Sequence, residues 1–249
     1  MTIADNWRAL EARVRARARQ PVEIVAVTKQ RSPAEIAAVI AAGARILGEN
    51  RSEEIVRKCS AHDPRADMPG LQLHMIGHVQ SRKARDIAAR CDAVQSLDSA
   101  HLADELNQRR APASRPLDVL IEVNVGGEAQ KYGVAPAAVV GLAEHVLTLP
   151  WLRLRGLMTM APQTDDAARI RAAFRGLREL RDQLVPRLGA APCAVLSMGM
   201  SDDFEIAVEE GSTMVRIGQA LFADSFDKEP QEEKRVIRAG ATAASFNKE

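Results

Sequence analysis

Residues 22–35 read VEIVAVTKQRSPAE, and the fold can be worked outward from them. The apolar run Val22–Val27 has the length and β-branched content of a buried strand. In Ser32-Pro33-Ala34-Glu35 the serine caps a helix, the proline fits its first turn and the glutamate closes a capping box. Strand, polar loop and helix follow one another, with Lys29 where the buried strand meets the loop. An ammonium is costly to desolvate, and a site that withdraws water from it frees the neutral amine needed to attack an aldehyde. The position suits a Schiff-base lysine. It equally suits a lysine salt-bridged at a strand end, so the rest of the chain has to decide.

The same strand-then-helix unit recurs to residue 223, after an N-terminal helix at about residues 3–19. Strands are predicted at Val22–Val27, Arg45–Leu47, Gln72–Ile76, Ala93–Leu97, Asp118–Val123, Arg153–Met158, Ala194–Ser197 and Thr213–Ile217. Helices are predicted at Pro33–Ala42, Ser52–Lys58, Arg82–Ala89, Ala100–Arg109, Pro136–Leu149, Asp166–Leu184 and Asp202–Glu209, with Gly43 and Gly211 at C-terminal caps. Eight such units in 249 residues fit a single closed (β/α)8 TIM-type barrel with an extra N-terminal helix better than an open doubly wound sheet. No G-x-G-x-x-G follows the first strand, which removes the simplest dinucleotide-binding reading. Residues 1–223 form the barrel in this reading, and the charged, aperiodic segment 224–249 is a mobile tail.

Thirty-four basic and thirty-three acidic residues leave a net charge of +1, with no overall pull toward nucleic acid or membrane. Arg13, Arg15, Arg17 and Arg19 alternate with apolar residues and lack interleaved aromatics, so they read as a solvated helix face. Cys59, Cys91 and Cys193 are isolated thiols, which suits a reducing cytoplasm. The polar N-terminus and the absence of a long apolar run argue against export and membrane insertion.

In such barrels chemistry gathers at the C-terminal ends of the strands, and phosphate binds after strands seven and eight. Strand seven runs into Ser197-Met198-Gly199-Met200-Ser201 just before a helix, offering hydroxyls, a glycine for close approach and free N–H groups. Strand eight runs into Arg216-Ile217-Gly218-Gln219, a second glycine turn. Ser201 also reads as a plain helix cap, and Arg216 as the partner of Glu49. Asn50 ends strand two, where it either meets a ligand beside Lys29 or forms an Asx-turn. Met158, Met160, Met198, Met200 and Met214 either wall a flat ring or fill the core. His74 and His78 lack the helical H-E-x-x-H arrangement of a zinc site, and no metal is expected. Neither a G-x-S-x-G elbow nor a Walker loop is present.

VAVTK (25–29), LGEN (47–50), HMIGHVQSRK (74–83), RGLMTM (155–160), LSMGMSDDFEIA (196–207) and GSTMVRIGQALF (211–222) resemble the pyridoxal-phosphate homeostasis proteins, the YggS-like or proline synthetase co-transcribed homologues. The resemblance departs at Ala223, where the family often has glycine, and at Arg82, where it often has asparagine. It implies a barrel resembling the N-terminal domain of alanine racemase, with pyridoxal 5′-phosphate held as an aldimine on Lys29 and phosphate contacts around Ser197–Ser201, Arg216 and Gly218. It further implies a role in vitamin B6 and amino-acid homeostasis, with apoenzymes that use this cofactor as partners.

A racemase needs an acid/base on each face of the substrate, and the only tyrosine, Tyr132, reads as a surface-loop residue. The reading is therefore a monomeric cytoplasmic cofactor-binding protein with no catalytic residues assigned. The alternatives are a racemase-like enzyme of low activity and a class I aldolase acting on a sugar phosphate.

Overall fold

A computed structural model describes residues 1–110, 115–128 and 132–224. Eight parallel strands close into a barrel in chain order, β8 pairing with β1. They are β1 (Glu23–Val27), β2 (Ile46–Glu49), β3 (Gln72–Met75), β4 (Ala93–Leu97), β5 (Leu117–Glu122), β6 (Leu152–Met158), β7 (Val195–Ser197) and β8 (Met214–Ile217). Every strand read from the sequence is present, and the differences lie at the ends. The second runs on through Gly48 and Glu49, which pair with His74 and Met75 of β3. A ladder is made by backbone groups and continues past the point where apolar side chains stop.

Nine helices are assigned among the described residues: α1 (Ile3–Arg17), α2 (Pro33–Ala42), α3 (Ser52–Ala61), α4 (Ala84–Arg90), α5 (Ala100–Arg109), α6 (Val139–Leu147), α7 (Ala167–Leu188), α8 (Phe204–Glu209) and α9 (Gln219–Phe222). The capping box expected at Ser32 and Glu35 is formed, and Gly43 caps α2 at φ 132°. Helices expected to begin at Arg82 and Pro136 open instead as short 3-10 turns over Ser81–Lys83 and Pro136–Ala138. No helix among the described residues is long and apolar enough to cross a membrane. The C-terminal tail beyond Asp224 lies outside the described residues.

The N-terminal helix fastens the end of the barrel chain. Asn6 is buried and donates to the carbonyls of Leu221 (3.1 Å) and Ala223 (2.9 Å). Arg13 and Arg17 pair with Glu205 of α8 at 2.7 and 3.1 Å, so these two arginines belong to an ion-paired helix face.

Side-chain alternation sorts each strand into two faces. Ala26, Leu47, Leu73, Leu196, Val215 and Ile217 face the helices and join the main apolar core. Val25, Ile46 and Met214 face the barrel axis and form only a small cluster, flanked by Ile76 and Val195. Five other axial positions carry buried polar side chains: His74, Gln95, Glu122, Ser197 and Arg216. Barrel interiors are ordinarily filled by branched apolar residues. This one is built to hold charge and hydrogen bonds along its axis.

Candidate functional site

Alternation along β1 gives Lys29 the same parity as Val25 and Val27, carrying it to the mouth of the barrel lumen. Its backbone is held from both sides. Lys58 Nζ donates to Thr28 O and to Glu49 Oε1, both at 2.6 Å; Thr28 Oγ1 donates to Glu49 Oε1 at 2.5 Å. Gln30, in the left-handed region at φ 59°, donates its N–H to Glu54 at 2.5 Å. Lys58 thus makes the strand-end salt bridge that Lys29 was a candidate for, and burial pushes the Glu49 carboxyl above its ordinary range. Among the described lysines, Lys58 and Lys83 are ion-paired and Lys29 is not. The expectation that Lys29 is desolvated does not hold: its side chain is exposed at the open mouth.

Across the lumen, Gly199 turns the chain after β7 at φ 99°, and an added Cβ would lie 2.6 Å from Ala207 Cβ and 3.0 Å from Phe204 Cα. Met200 N–H donates to Asp203 Oδ1 at 2.5 Å, closing this turn. Ser201 is not the cap of α8, whose N-cap residue is Asp203; its hydroxyl accepts from Ala220 N at 3.3 Å and ties the turn to α9. Gly218 ends β8 against Val27, whose Cβ would be 3.2 Å from an added Cβ. The two glycine turns are therefore joined to each other, and the second packs on the strand that carries Lys29. Gly199→Ala is expected to lower stability by about 2–4 kcal/mol, from backbone strain and overpacking together, as measured by urea unfolding.

Arg216 is only 4% exposed and points along the axis. It does not pair with Glu49. It donates to Ser197 Oγ (2.7 Å) and to Thr159 O (2.9 Å), and no carboxylate among the described residues contacts it. Burial pulls its guanidinium down to about 10, opposed by the more distant charges of Asp203 and Glu122. The Ser197 hydroxyl, expected to face a ligand, lies inside the barrel between Arg216 and Gln95. Met158 is buried with axial parity and Met200 is exposed at the mouth, whereas Met198 belongs to the outer core. Asn50 is exposed, and its side chain makes no hydrogen bond among the described residues, so it forms no Asx-turn.

Glu122 and Asp98 at the same mouth escaped the sequence reading, and His78 and Tyr132, read as a rejected zinc ligand and a surface-loop tyrosine, join them there. Glu122 of β5 is 3% exposed, and burial with the nearby charge of Asp98 pushes its carboxyl up to about 7. His78 Nδ1 lies 3.2 Å from Asp98 Oδ2, and Tyr132, though 56% exposed, stacks on His78 with centroids 4.0 Å apart. Only the alternation in Asp118–Glu122 gives notice of this group, by placing a carboxylate on the axial face. Because the native Glu122 holds its proton up to about 7 and the unfolded one releases it near 4.5, stability falls as pH rises through that window. Glu122→Gln is expected to be more stable than the parent by about 2–3 kcal/mol at pH 8 and no more stable at pH 4, in urea titrations at each pH.

Fold and site together define a (β/α)8 barrel with an unpaired lysine at its mouth and two linked glycine turns opposite. The family model "Alanine racemase, N-terminal domain" matches residues 2–225. The pyridoxal phosphate homeostasis protein of Pseudomonas aeruginosa is 44% identical over 227 residues, covering 89% of this chain and 95% of that protein. That of Haemophilus influenzae is 38% identical over 228 residues, with the same shares of both chains. PipY of Synechococcus elongatus, solved with pyridoxal phosphate bound, superposes with a TM-score of 0.78 at 31% identity, covering 89% of this chain and 100% of that one. Alanine racemase of Corynebacterium glutamicum shares the fold at 18% identity, with a TM-score of 0.68 over 88% of this chain and 60% of its own. The chain belongs to the pyridoxal phosphate homeostasis proteins, within the alanine racemase N-terminal domain family.

Proposed function

We propose that the barrel, residues 1–223, binds pyridoxal 5′-phosphate covalently through Lys29 and serves intracellular vitamin B6 and amino-acid homeostasis by holding and handing on the cofactor. The observation that carries this reading is the free Lys29 amine on a backbone pinned by Lys58, Glu49 and Glu54. The residues fit the group. Gly199 and Gly218 leave backbone where a Cβ would collide or crowd, and Arg216 is a buried cation whose contacts among the described residues are neutral groups. Bound here, the cofactor supplies an aldehyde that condenses reversibly with an amine. Lys29 would provide that amine; the linked turns after β7 and β8 would offer backbone N–H groups to phosphate, with Arg216 as the nearby buried cation; Met158 and Met200 would offer apolar contact. Asn50, exposed just past β2, would offer its amide to the same ligand.

Adding pyridoxal phosphate to the purified protein is expected to produce a visible absorption band that borohydride bleaches, with the reduced cofactor on Lys29 by mass spectrometry. A colourless protein trapped only in the presence of a sugar phosphate would indicate an aldolase instead.

The open mouth suits a carrier, and transfer to cofactor-dependent apoenzymes in the cytoplasm by a monomer completes the proposal. One observation favours a weak enzymatic side activity: Tyr132, His78 and Asp98 form an acid–base group at the mouth. No hydrogen bond from Tyr132 orients it toward Lys29 among the described residues, and general acid–base help requires such placement. Racemisation of L-alanine in deuterated water is expected to be negligible at full cofactor loading. Rapid Lys29-dependent inversion would establish an enzyme.

A further inference from the structure

The guanidinium of Arg216 ends a chain of side-chain hydrogen bonds that crosses the lumen through β8, β7, β4 and β3. Arg216 donates to Ser197 Oγ (2.7 Å), Ser197 Oγ donates to Gln95 Oε1 (2.6 Å), Gln95 Nε2 meets His74 Nδ1 (2.9 Å), and His74 Nε2 meets Gln72 Oε1 (2.9 Å). With the Gln95 carbonyl oxygen turned to Ser197, one set of directions satisfies every group in it. Arginine has no acceptor, so the serine oxygen accepts, and its hydrogen goes to the Gln95 carbonyl oxygen that faces it. The Gln95 amide then turns its NH2 toward His74, whose Nδ1 has to accept and whose Nε2 carries the hydrogen donated to Gln72. All donors run one way, from Arg216 toward the N-terminal mouth, an alignment in which each bond polarises the next.

We propose that His74 and Gln95 are positioning residues for the cofactor site: acting through Ser197, they hold the Arg216 guanidinium in the orientation that meets the bound group. The inference rests on the binding function proposed above.

Three features support it. Arg216 has two neutral partners and, among the described residues, no carboxylate in contact, so its aim depends on where Ser197 and Thr159 stand. The Ser197 hydroxyl would otherwise be free to rotate, and Gln95 is the group that removes this freedom. His74 in turn anchors the far end of the Gln95 amide, its Nδ1 lying 2.9 Å from Gln95 Nε2. Burial keeps His74 neutral, drawing it down to about 4, which preserves the Nδ1 lone pair across the physiological range. The imidazole lies in the lower lumen, bonded to Gln72 and Gln95, and is wholly part of the strut.

The test combines variants with a measurement on the parent. His74→Phe and Gln95→Met remove the strut while keeping bulk; His74→Asn puts an acceptor at the same number of bonds from Cβ as Nδ1. We expect about tenfold weaker equilibrium binding of pyridoxal phosphate for His74→Phe and Gln95→Met, about 1.4 kcal/mol. Their visible band should shift, borohydride labelling should stay on Lys29, and His74→Asn should restore much of the affinity. Folded variants with parental affinity and band would overturn the proposal. Should both variants unfold, the parent decides: loading with cofactor should shift the 15N resonances of the His74 ring, and unchanged resonances would overturn it. Failure of the parent itself to take up cofactor would instead refute the binding function, which keeps the two readings apart.

Discussion

Lys29→Ala is expected to abolish covalent capture of pyridoxal phosphate completely while leaving the barrel intact. The side chain is exposed and makes no hydrogen bond or ion pair among the described residues, so truncation opens no cavity and orphans no buried partner. A change within about 0.5 kcal/mol is typical of such surface positions, a shift of about 1–2 °C in melting temperature for a chain of this size. The visible band should disappear, and borohydride should leave no cofactor on the polypeptide by mass spectrometry. The glycine turns and Arg216 remain, so weak noncovalent uptake should persist. Reduction onto Lys58 in the parent would refute the assignment. Lys58 already donates to Glu49 and Thr28 at 2.6 Å, and attack would require it to leave both.

The fold was legible because it is written in apolar runs and caps. Val22–Val27, the Ser32 capping box and Gly43 are local features, and the structure keeps them. Strand ends were less legible, since Gly48 and Glu49 extend β2 by backbone pairing that side-chain polarity does not reveal. At the site, sequence located Lys29, Arg216 and both glycine turns but misjudged surroundings that depend on distant residues. Lys29 was expected to be desolvated, yet the loop leaves it in the open. Arg216 was offered Glu49, yet Glu49 faces α3 and pairs with Lys58, because Glu49 and Gly48 lie on opposite faces of β2. Ser197 was read as a ligand contact from its place near the strand end; its axial parity instead sends the hydroxyl to Gln95. Glu122 and Asp98 went unread, and His78 and Tyr132 were read only as a rejected zinc ligand and a surface-loop tyrosine, because only barrel closure brings the ends of β3, β4 and β5 around one mouth.

Arg216 should matter more for cofactor retention than any hydroxyl in the neighbouring turns. Arg216→Met, which keeps much of the volume, is expected to weaken equilibrium binding of pyridoxal phosphate by about 10- to 100-fold, since a buried charge-assisted hydrogen bond contributes about 1.5–3 kcal/mol. Ser201→Ala should cost less than about threefold. It removes one acceptor of a long 3.3 Å bond from Ala220 N and leaves every backbone N–H of the turn in place. Arg216→Ala should bind as poorly as the methionine variant and be less stable, because both strip Ser197 and Thr159 of their shared donor and the alanine also leaves a cavity. Urea unfolding of the three variants separates stability from affinity. Equal losses in Arg216→Met and Ser201→Ala would show that the guanidinium serves the barrel's own hydrogen bonds alone and that the turns after β7 and β8 hold the anion without it.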